Sequence, residues 1–470
     1  MADTENCLSL LHQKAESMGQ KTNKPPTRKG DTGFQPVIPD KITGKMPVSR
    51  LPENWRQTRI GDAYCFTRRP KGLRYSDYAT IPFIPMNLIP QGGATQPSFV
   101  DKTAAQITSG TYFEQGDLLL SKITPSFENG KQAIASNLPI PFGVATTEVI
   151  PIQALTGTSD THFLFYCLLQ PEVRQAIASK MEGSTGRQRV PEHVIRDWII
   201  PLPPLAEQER IAAILWKIQE AIASEAAIIR NARDLKKSLL RHLFTHGLHN
   251  EPLKETEIGR MPESWDVVTI GHECGTCTSA MSYTQFIHLE ESVEGVIVHG
   301  VKVSDMNLPG NEVRFESANL VKTLPLSIAQ KRTVPSGSVV FPKRGAAIAT
   351  NKKRLTTTWT VLDPNLIAIV PGKDVESTFL LNWFLTFDLA SITEPGPTPQ
   401  LNKKNVVPLL FPKPTKEEQR EITPILSTVD ENIAIHEANQ QTLRDLFRAV
   451  LNGLMSGKMR VGELEMEEAR

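Results

Sequence analysis

Basic residues in this sequence gather in groups that also contain Ser, Thr, Asn and Gln. In the first half the candidates are Arg68, Arg69, Lys71, Arg74, Lys122, Thr124, Ser126, Asn129, Lys131, Arg187, Gln188 and Arg189. In the second half they are Lys343, Arg344, Asn351, Lys352, Lys353, Arg354, Gln400, Asn402, Lys403 and Lys404, preceded by Lys331 and Arg332. Lys and Arg neutralise phosphates, Arg can pair with guanine, and Asn or Gln can pair with adenine. The groups predict a surface that binds double-stranded DNA; the alternative is a set of solvated, Lys-rich loops.

The sequence lacks the residue patterns that catalysis would need. It has no Walker loop, no glycine-rich dinucleotide turn and no HExxH helix. The string nearest to a methyltransferase motif, Asp363 to Leu366, is better interpreted as a turn that enters a strand. Cys274 and Cys277 form a CxxC near His272, but a structural zinc site takes four ligands, so two reduced cysteines in a loop are favoured. We expect no metal, no cofactor and no catalytic residue in this chain.

Composition indicates a soluble, cytoplasmic protein. Lys and Arg number 52 and Asp and Glu number 51, so the net charge of +1 neither requires nor excludes a nucleic-acid partner. Five cysteines are scattered along the 470 residues, as is typical of a reducing compartment. The longest apolar run, Phe163 to Leu169, is too short to cross a bilayer, and no signal peptide is visible.

A long helix follows Pro203 and Pro204. Glu207 and Glu209 fall in its first turn, where the helix dipole favours acidic groups. Apolar residues then recur at helical spacing, at Ile211, Leu215, Ile218, Ile222, Ile229, Leu235, Leu239 and Leu243. The pattern predicts a helix of about 40 residues and roughly 60 Å, from about Ala206 to about Phe244. A rod of this length needs a second helix to bury its apolar side.

The chain repeats this helix near its C-terminus. Residues 211 positions apart match: Pro203, Gln208, Ile218, Ile222, Leu243 and Thr245 correspond to Pro414, Gln419, Val429, Ile433, Leu454 and Ser456. Ahead of the helices, Pro52, Trp55, Ile60 and Gly61 match Pro262, Trp265, Ile270 and Gly271 at a separation of 210 positions. Constant separations without gaps indicate a duplicated unit.

Between these shared ends, each half contains short strand-like runs bounded by turn residues. They are Thr80 to Met86, Asp117 to Lys122 and Thr146 to Pro151, then Glu294 to Val303, Ser338 to Pro342 and Leu366 to Val370. Thr161 to Met181 and Glu376 to Leu389 are predicted to be helical. The predicted fold class is therefore α+β. The predicted segments are a flexible extension at 1–45, globular domains at 46–200 and 251–409, a central helix at 201–250, and a C-terminal helix and tail at 410–470.

This organisation resembles the specificity subunit of Type I restriction–modification systems. The resemblance spans about residues 46–460 and rests first on LPENW and MPESW at the domain starts. It rests also on PLPPLAEQERIAAIL, PKPTKEEQREITPIL, SKITPSFENGK, STGRQRVPEHVIRDWIIPLP and GLMSGKMRV. The second half departs from the pattern, because FPKRGAAIATNKK stands where the first half has SKITPSFENGK.

The resemblance implies two pseudo-twofold-related target recognition domains separated by two long antiparallel helices that form a coiled coil. Each domain would read one half of a bipartite DNA site, and the helices would set the spacing and dock two modification subunits. S-adenosylmethionine, ATP and magnesium would be needed only in the methyltransferase and restriction subunits. The alternative is a coiled-coil scaffold that binds proteins and not DNA.

Apolar side chains at the ends of the helices exceed what a two-helix seam needs. A seam takes one row, about two residues in seven. The surplus comprises Leu239, Leu240, Leu243, Phe244, Val450, Leu451, Leu454 and Met455. We expect this surplus to dock the modification subunits, one for each half.

Overall fold

The two halves of the chain fold into two compact units. A computed structural model describes residues 51–92, 96–184, 186–277, 279–394 and 399–462. Within these residues, unit 1 comprises 51–227 and 437–462, and unit 2 comprises 228–436. The extension predicted at 1–45 lies outside the described residues.

Unit 1 is an α+β body, as predicted. Its strands are β1 Arg56–Arg59, β2 Tyr64–Phe66, β3 Ile81–Ile84, β4 Val100–Lys102, β5 Thr111–Glu114, β6 Leu118–Ser121, β7 Gln132–Ile134, β8 Phe142–Ala145, β9 Val149–Ala154 and β10 Ile199–Leu202. Its helices are α1 Ile60–Ala63, α2 Thr161–Leu169, α3 Pro171–Ala178 and α4 Glu192–Arg196, and the long α5 Leu205–His246 begins in it. One four-stranded sheet has the order β2-β9-β6-β7 and the other β4-β3-β8-β5, in which β3 and β8 run parallel.

Unit 2 is built in the same way. Its strands are β11 Leu253–Thr256, β12 Gly259–Pro262, β13 Asp266–Thr269, β14 Cys274–Cys277, β15 Val296–Val301, β16 Arg314–Phe315, β17 Leu320–Leu324, β18 Val339–Pro342, β19 Arg354–Thr356, β20 Trp359–Leu362, β21 Leu366–Pro371 and β22 Leu410–Lys413. Its helices are α6 Ile270–Glu273, α7 Tyr283–His288, α8 Leu326–Arg332, α9 Ser377–Leu385 and α10 Lys403–Val406, and the long α11 Lys416–Met455 begins in it. A five-stranded sheet has the order β14-β21-β18-β19-β16 and a three-stranded sheet the order β17-β15-β20.

The segments of α5 and α11 pack antiparallel within each unit, as predicted. In unit 1, Gln440 Nε2 donates to Ile222 O at 3.3 Å. In unit 2, Lys236 Nζ lies 2.5 Å from Asp430 Oδ1. The core of unit 1 includes Ile211, Leu215, Ile218, Leu446, Val450 and Leu454, and that of unit 2 includes Leu240, Leu243, Ile422 and Leu426. The helix segments and the globular body of each unit therefore share one hydrophobic core.

The six predicted strands are confirmed, as β3, β6, β9, β15, β18 and β21. The segment Thr161 to Met181, predicted to be helical, forms two helices, because α2 ends at Leu169 and α3 runs from Pro171 to Ala178. Gln170 between them has ψ 127°, since a residue before proline avoids helical geometry. The helix predicted over Glu376 to Leu389 is shorter: Glu376 is its N-cap and α9 ends at Leu385.

Each body closes on itself where its long helix begins. β1 pairs antiparallel with β10, and β13 pairs antiparallel with β22. β10 and β22 lie directly before α5 and α11. The duplicated Pro-Trp segments at the domain starts thus lie directly before β1 and β13, the strands that pair with those leading into the helices.

A buried glutamine joins each long helix to its globular body. Gln208 Oε1 accepts from Asp160 N at 3.0 Å, and its Nε2 donates to Pro203 O at 2.8 Å and Thr158 O at 3.2 Å. Asp160 in turn caps α2, accepting from Phe163 N. The amide therefore links the first turn of α5 to the start of the helix that packs across unit 1.

Gln419 repeats this junction in unit 2. Its Oε1 accepts from Glu376 N at 2.8 Å, and its Nε2 donates to Asp374 O at 3.0 Å and Pro414 O at 3.1 Å. Glu376 caps α9 as Asp160 caps α2. Both glutamines are fully buried, so the duplicated Glu-Gln motif has a physical role in positioning each body on its helix.

Candidate DNA interface

In unit 1, the segment around Lys122 pairs with the segment around Arg189. Val190 N donates to Lys122 O at 2.8 Å, and Thr124 N donates to Gln188 O at 3.0 Å. We name this pairing of 122–124 with 188–190 ladder 1. It places side by side two basic groups that lie far apart in the sequence.

Unit 2 contains the same pairing, between 343–345 and 399–401, which we name ladder 2. Two hydrogen bonds of 2.9 Å form it, from Leu401 N to Lys343 O and from Gly345 N to Pro399 O. Ladder 2 thus brings the predicted group at 343–344 next to the predicted group at 400–404.

The two ladders identify equivalent residues in the two units. A single sequence separation does not align all of these residues. Lys122 corresponds to Lys343, 221 positions later, and Arg189 corresponds to Gln400, 211 positions later. The latter two are the central, bridged residues of their ladders. The change in separation means that, between the two strands of its ladder, the second half has ten residues fewer than the first.

A tight turn precedes the second strand of ladder 1. Glu182 and Arg189 exchange both backbone hydrogen bonds, at 2.9 and 2.8 Å. In unit 2, Glu394 N likewise donates to Gln400 O at 3.1 Å. Arg187 is exposed at the turn of unit 1, where its guanidinium can meet a phosphate or a base edge.

A carboxylate fixes the side chain of Arg189. Its Nε donates to Glu148 Oε2 at 2.8 Å and its Nη2 to Glu148 Oε1 at 2.7 Å. The hydrogen bonds and charge of this pair lower the pKa of Glu148 and raise that of Arg189. The guanidinium is therefore always charged and held in one orientation.

The group at 68–74 is exposed and connects to the segment that follows ladder 1. Arg68 Nη2 donates to Glu192 Oε2 at 2.7 Å. The guanidinium carbon of Arg69 lies 4.0 Å from the ring centroid of Tyr75, a cation–π contact. The other members of the group, Lys71 and Arg74, are exposed.

A buried arginine supports the loop from Thr124 to Lys131. Arg174 Nη1 donates to Phe127 O at 2.7 Å. Its Nη2 donates to Gln132 Oε1 and to Leu168 O, both at 2.6 Å. Burial lowers the pKa of Arg174 to about 10, so the side chain stays charged near neutral pH while it anchors the loop.

The polar side chains of this loop differ in their availability to a ligand. Thr124 Oγ1 donates to Glu128 Oε1 at 2.8 Å, and Lys131 Nζ donates to Met86 O at 2.9 Å. The remaining candidates are the half-buried Lys122, Ser126 and Gln188 and the exposed Asn129.

Unit 2 buries part of its basic group. Lys353 is 1% exposed, and its Nζ donates to Asn351 Oδ1 at 2.6 Å and Phe387 O at 2.8 Å. Burial lowers the pKa of Lys353 to about 8. The half-buried Arg354 donates through Nε to Asn311 O. These two cations hold the 345–354 loop together within the unit.

The other candidates of unit 2 lie partly at ladder 2 and partly on other segments of the unit. Lys404 Nζ lies 2.8 Å from Glu394 Oε1, the side chain of the residue that bonds Gln400. Lys352 Nζ donates to Asn307 Oδ1 and is half-buried. The exposed candidates are Arg344, Gln400, Asn402, Lys403 and Lys404, the half-buried ones are Lys343 and Asn351, and Lys331 and Arg332 are exposed in the last turn of α8.

The structure corrects the expectation that surplus apolar rows on the helices are free for docking. Leu240, Leu243, Val450, Leu451, Leu454 and Met455 are buried, and Leu239 and Phe244 are half-buried. All eight belong to, or pack against, the core of their own unit. A helix that packs against both another helix and a globular body needs a wider apolar stripe than a two-helix seam, and this accounts for the surplus.

Cys274 and Cys277 lie in strand β14, not in the predicted loop. Among the residues that the structure describes, no group of three or more His, Cys, Asp and Glu side chains could hold a metal ion. Within the same residues, no helix is long and apolar enough to cross a membrane.

Two residues that shape the interface escaped prediction. Arg174 lies in an ordinary amphipathic helix, and its sequence gives no sign that it turns inward. Glu148 is a lone acidic residue before β9. The apolar run that forms β9 indicates a strand, but it does not show which arginine the carboxylate meets.

Comparison with known proteins bears on this geometry. The family described as "Type I restriction modification DNA specificity domain" matches residues 52–232 and 326–444. The matched residues make up more than half of the chain. The chain belongs to this family.

Members of this DNA-specificity family resemble it over most of its length. The "Type I restriction enzyme MjaVIII specificity subunit" of Methanocaldococcus jannaschii is 22% identical, covering 88% of this chain and 95% of its own. The EcoAI specificity subunit of Escherichia coli is 31% identical, over 51% of this chain and 38% of its own. The Type I S subunit from M. genitalium shares the fold with a TM-score of 0.53 and 13% identity, covering 86% of this chain and 96% of its own.

Family membership confirms the prediction of a DNA sequence-recognition subunit. In this family the specificity subunit is not catalytic, and the chemistry belongs to partner subunits.

Proposed function

We propose that each unit reads one half of a bipartite DNA site with its ladder and the basic loops beside it. The observation that carries this proposal is that ladders 1 and 2 repeat the same backbone pairing in two bodies whose loops otherwise differ. A duplicated backbone pairing with different loops suits two units that recognise different DNA sequences. Each ladder also has Lys122 or Lys343 at the same position, which suits a shared phosphate contact.

The candidates divide by their availability. Exposed cations without a buried role, such as Lys71, Arg74 and Arg187, are suited to phosphates. The ladder residues Arg189 and Gln400 have the donor and acceptor groups that base edges require. We leave Lys353 and Arg354 out of the contact surface, because they hold the loop of unit 2 from within. The complete set proposed for unit 1 is Arg68, Arg69, Lys71, Arg74, Lys122, Thr124, Ser126, Asn129, Lys131, Arg187, Gln188 and Arg189.

The partners that we propose are double-stranded DNA and two modification subunits, one for each duplicated half. Restriction subunits would join through these. S-adenosylmethionine, ATP and magnesium would be bound by the partners. Large apolar side chains exposed on the helix segments of unit 2, namely Ile228, Leu235, Ile425 and Ile435, offer a contact surface in place of the buried rows. Sedimentation of a reconstituted mixture tests the stoichiometry, and saturation at one modification subunit would contradict it.

Selection from random duplexes, followed by sequencing, tests the DNA proposal. We expect two short preferred sequences at a defined separation, bound with an affinity that falls steeply with salt. A coiled-coil scaffold without DNA-binding activity would enrich no sequence.

Replacing Arg187 by Ala then tests whether this side chain contacts DNA or is only solvated. Loss of a phosphate contact should lower the salt slope by about one unit, whereas loss of a base contact should relax preference at one position. Lys237→Ala removes an exposed charge on α5, outside both ladders, and serves as the control. Equal binding by R187A and K237A would argue for a solvated loop at residue 187.

A further inference from the structure

We propose that Arg189 and Gln400 are equivalent specificity-determining residues, with Arg189 reading a guanine and Gln400 an adenine in the respective half-sites. The inference rests on the proposed function, because it assumes that both units read DNA through their ladders. It adds which side chain decides a base in each half and which base that is.

The equivalence comes from backbone geometry. Each residue is the central, bridged position of its ladder. Each also receives or exchanges a hydrogen bond with a glutamate, Glu182 in unit 1 and Glu394 in unit 2. The two positions are therefore framed alike on both sides. A different side chain at this position changes the hydrogen-bonding groups offered to DNA and leaves the backbone pairing unchanged.

Arg189 presents a guanidinium that is already oriented. Its side chain is 47% exposed, and Glu148 engages the edge formed by Nε and Nη2. Nη1 also donates to Arg187 O at 3.4 Å, which leaves one N–H group on Nη1 and one on Nη2 for a base edge. Two parallel donors match O6 and N7 of guanine, both acceptors in the major groove. The carboxylate thus reduces the rotamer entropy lost when such a contact forms.

Gln400 presents a different pattern from the same place. Its amide has one acceptor and one donor group, which match N6 and N7 of adenine. The structural counterpart of Glu148 is Asn365, because Lys343 N donates to Asn365 O at 2.8 Å as Lys122 N donates to Glu148 O at 2.9 Å. The Asn365 amide donates to Asp363 Oδ1 at 2.7 Å. Unit 2 therefore has no carboxylate at the position that orients a guanidinium in unit 1, as expected if it carries an amide reader.

Selection and sequencing of random duplexes with the full chain test the inference through reciprocal variants. We expect Arg189→Gln to reduce the guanine preference at one position of one half-site by about tenfold and to shift it toward adenine. We expect Gln400→Arg to reduce an adenine preference in the other half-site by a similar factor. Glu148→Gln should weaken the guanine preference while the position read stays the same. Arg59→Gln, which alters another exposed, ion-paired arginine of unit 1, is the matched control.

The outcomes separate this inference from the proposed function. A wild-type chain that enriches no sequence contradicts the proposed function itself. A wild-type chain that enriches a bipartite site, with no change of base preference in R189Q and Q400R, overturns the inference alone. Melting temperatures establish folding, and because the two variants lie in different units, a folded Q400R decides the question for its half even where R189Q is unstable.

Discussion

Unit 1 and unit 2 share the glutamine junction and the ladder. They differ in the buried cation that supports the loop of each unit. Both place a buried glutamine at the first turn of a long helix, and both form a ladder before it. Under the loop of unit 1 lies Arg174, whose guanidinium makes three hydrogen bonds. Under the loop of unit 2 lies Lys353, whose ammonium makes two.

This difference suggests how a duplicated protein can vary its loops while it keeps the position of each globular body on its helix. The shared parts determine where each globular body sits on its helix. The loops differ in length and sequence, and each has acquired its own buried cation. Because a buried charge is costly unless it is hydrogen-bonded, each loop depends on the cation that lies under it.

The largest effect is expected from removing the cation under the loop of unit 1. Arg174→Met removes the Arg174 donors of Gln132 Oε1 and Leu168 O and one of the two donors to Phe127 O, which still accepts from Gly130 N. It should therefore destabilise unit 1 by about 3–5 kcal/mol. Hydrogen exchange followed by mass spectrometry should show lost protection at Gln132 and in α2, with β18 unchanged. Arg196→Met, at an exposed arginine paired with Glu192, should cost about 1 kcal/mol or less.

Lys353→Met makes the equivalent change in unit 2. It should reduce hydrogen-exchange protection in unit 2 alone, and by less than Arg174→Met does in unit 1, because fewer hydrogen bonds are lost. A loss of protection in unit 1 caused by K353M would contradict the assignment of one cation to each loop.

A somewhat smaller and symmetrical effect is expected at the glutamine junctions. Gln208→Met and Gln419→Met each preserve side-chain volume and remove three hydrogen bonds to buried backbone groups. We expect a loss of about 2–3 kcal/mol in the unit that carries the change, measured by hydrogen exchange at the amides of Asp160 and Glu376. Gln441→Met, on the exposed side of α11, is the control. A large effect in one unit with none in the other would show that the two junctions are not equivalent.

Those junctions also show what the sequence could predict. Gln208 and Gln419 stand at a constant separation, as do the apolar residues of both helices, so the repeat and the long helices were predictable. The ladders were not, because the separation differs between their two strands and loops of different length intervene.

The direction of single side chains was equally beyond the sequence. Lys353 stands among basic residues and was predicted to contact DNA, yet only tertiary packing decides that its ammonium meets Phe387 O. The apolar rows at the helix ends were predictable as apolar, but a count based on a two-helix seam omits the globular body that covers them.

The last effect depends on pH and concerns a buried position at which the units differ in charge. Asp117 in unit 1 and Ser338 in unit 2 lie at the starts of the equivalent strands β6 and β18, and both are fully buried. Asp117 Oδ2 accepts from Glu114 N at 2.8 Å, while Ser338 Oγ donates to Pro335 O at 2.8 Å. Desolvation raises the pKa of Asp117 from 3.8 to about 6.

The sign of the pH dependence follows from this raised pKa. The folded state favours the protonated carboxyl, so the contribution of Asp117 to stability is fully present below pH 3.8 and is lost as the pH rises to about 6. Asp117→Asn stays neutral and retains an acceptor for Glu114 N. It should therefore match the wild type at about pH 3 or below and exceed its free energy of unfolding by about 3 kcal/mol at pH 7. Exchange at β6 across this pH range measures the gain, with β18 as the internal reference because Ser338 does not titrate. A constant difference between variant and wild type at about pH 3 and pH 7 would show that the carboxyl of Asp117 is not the titrating group that distinguishes the two units.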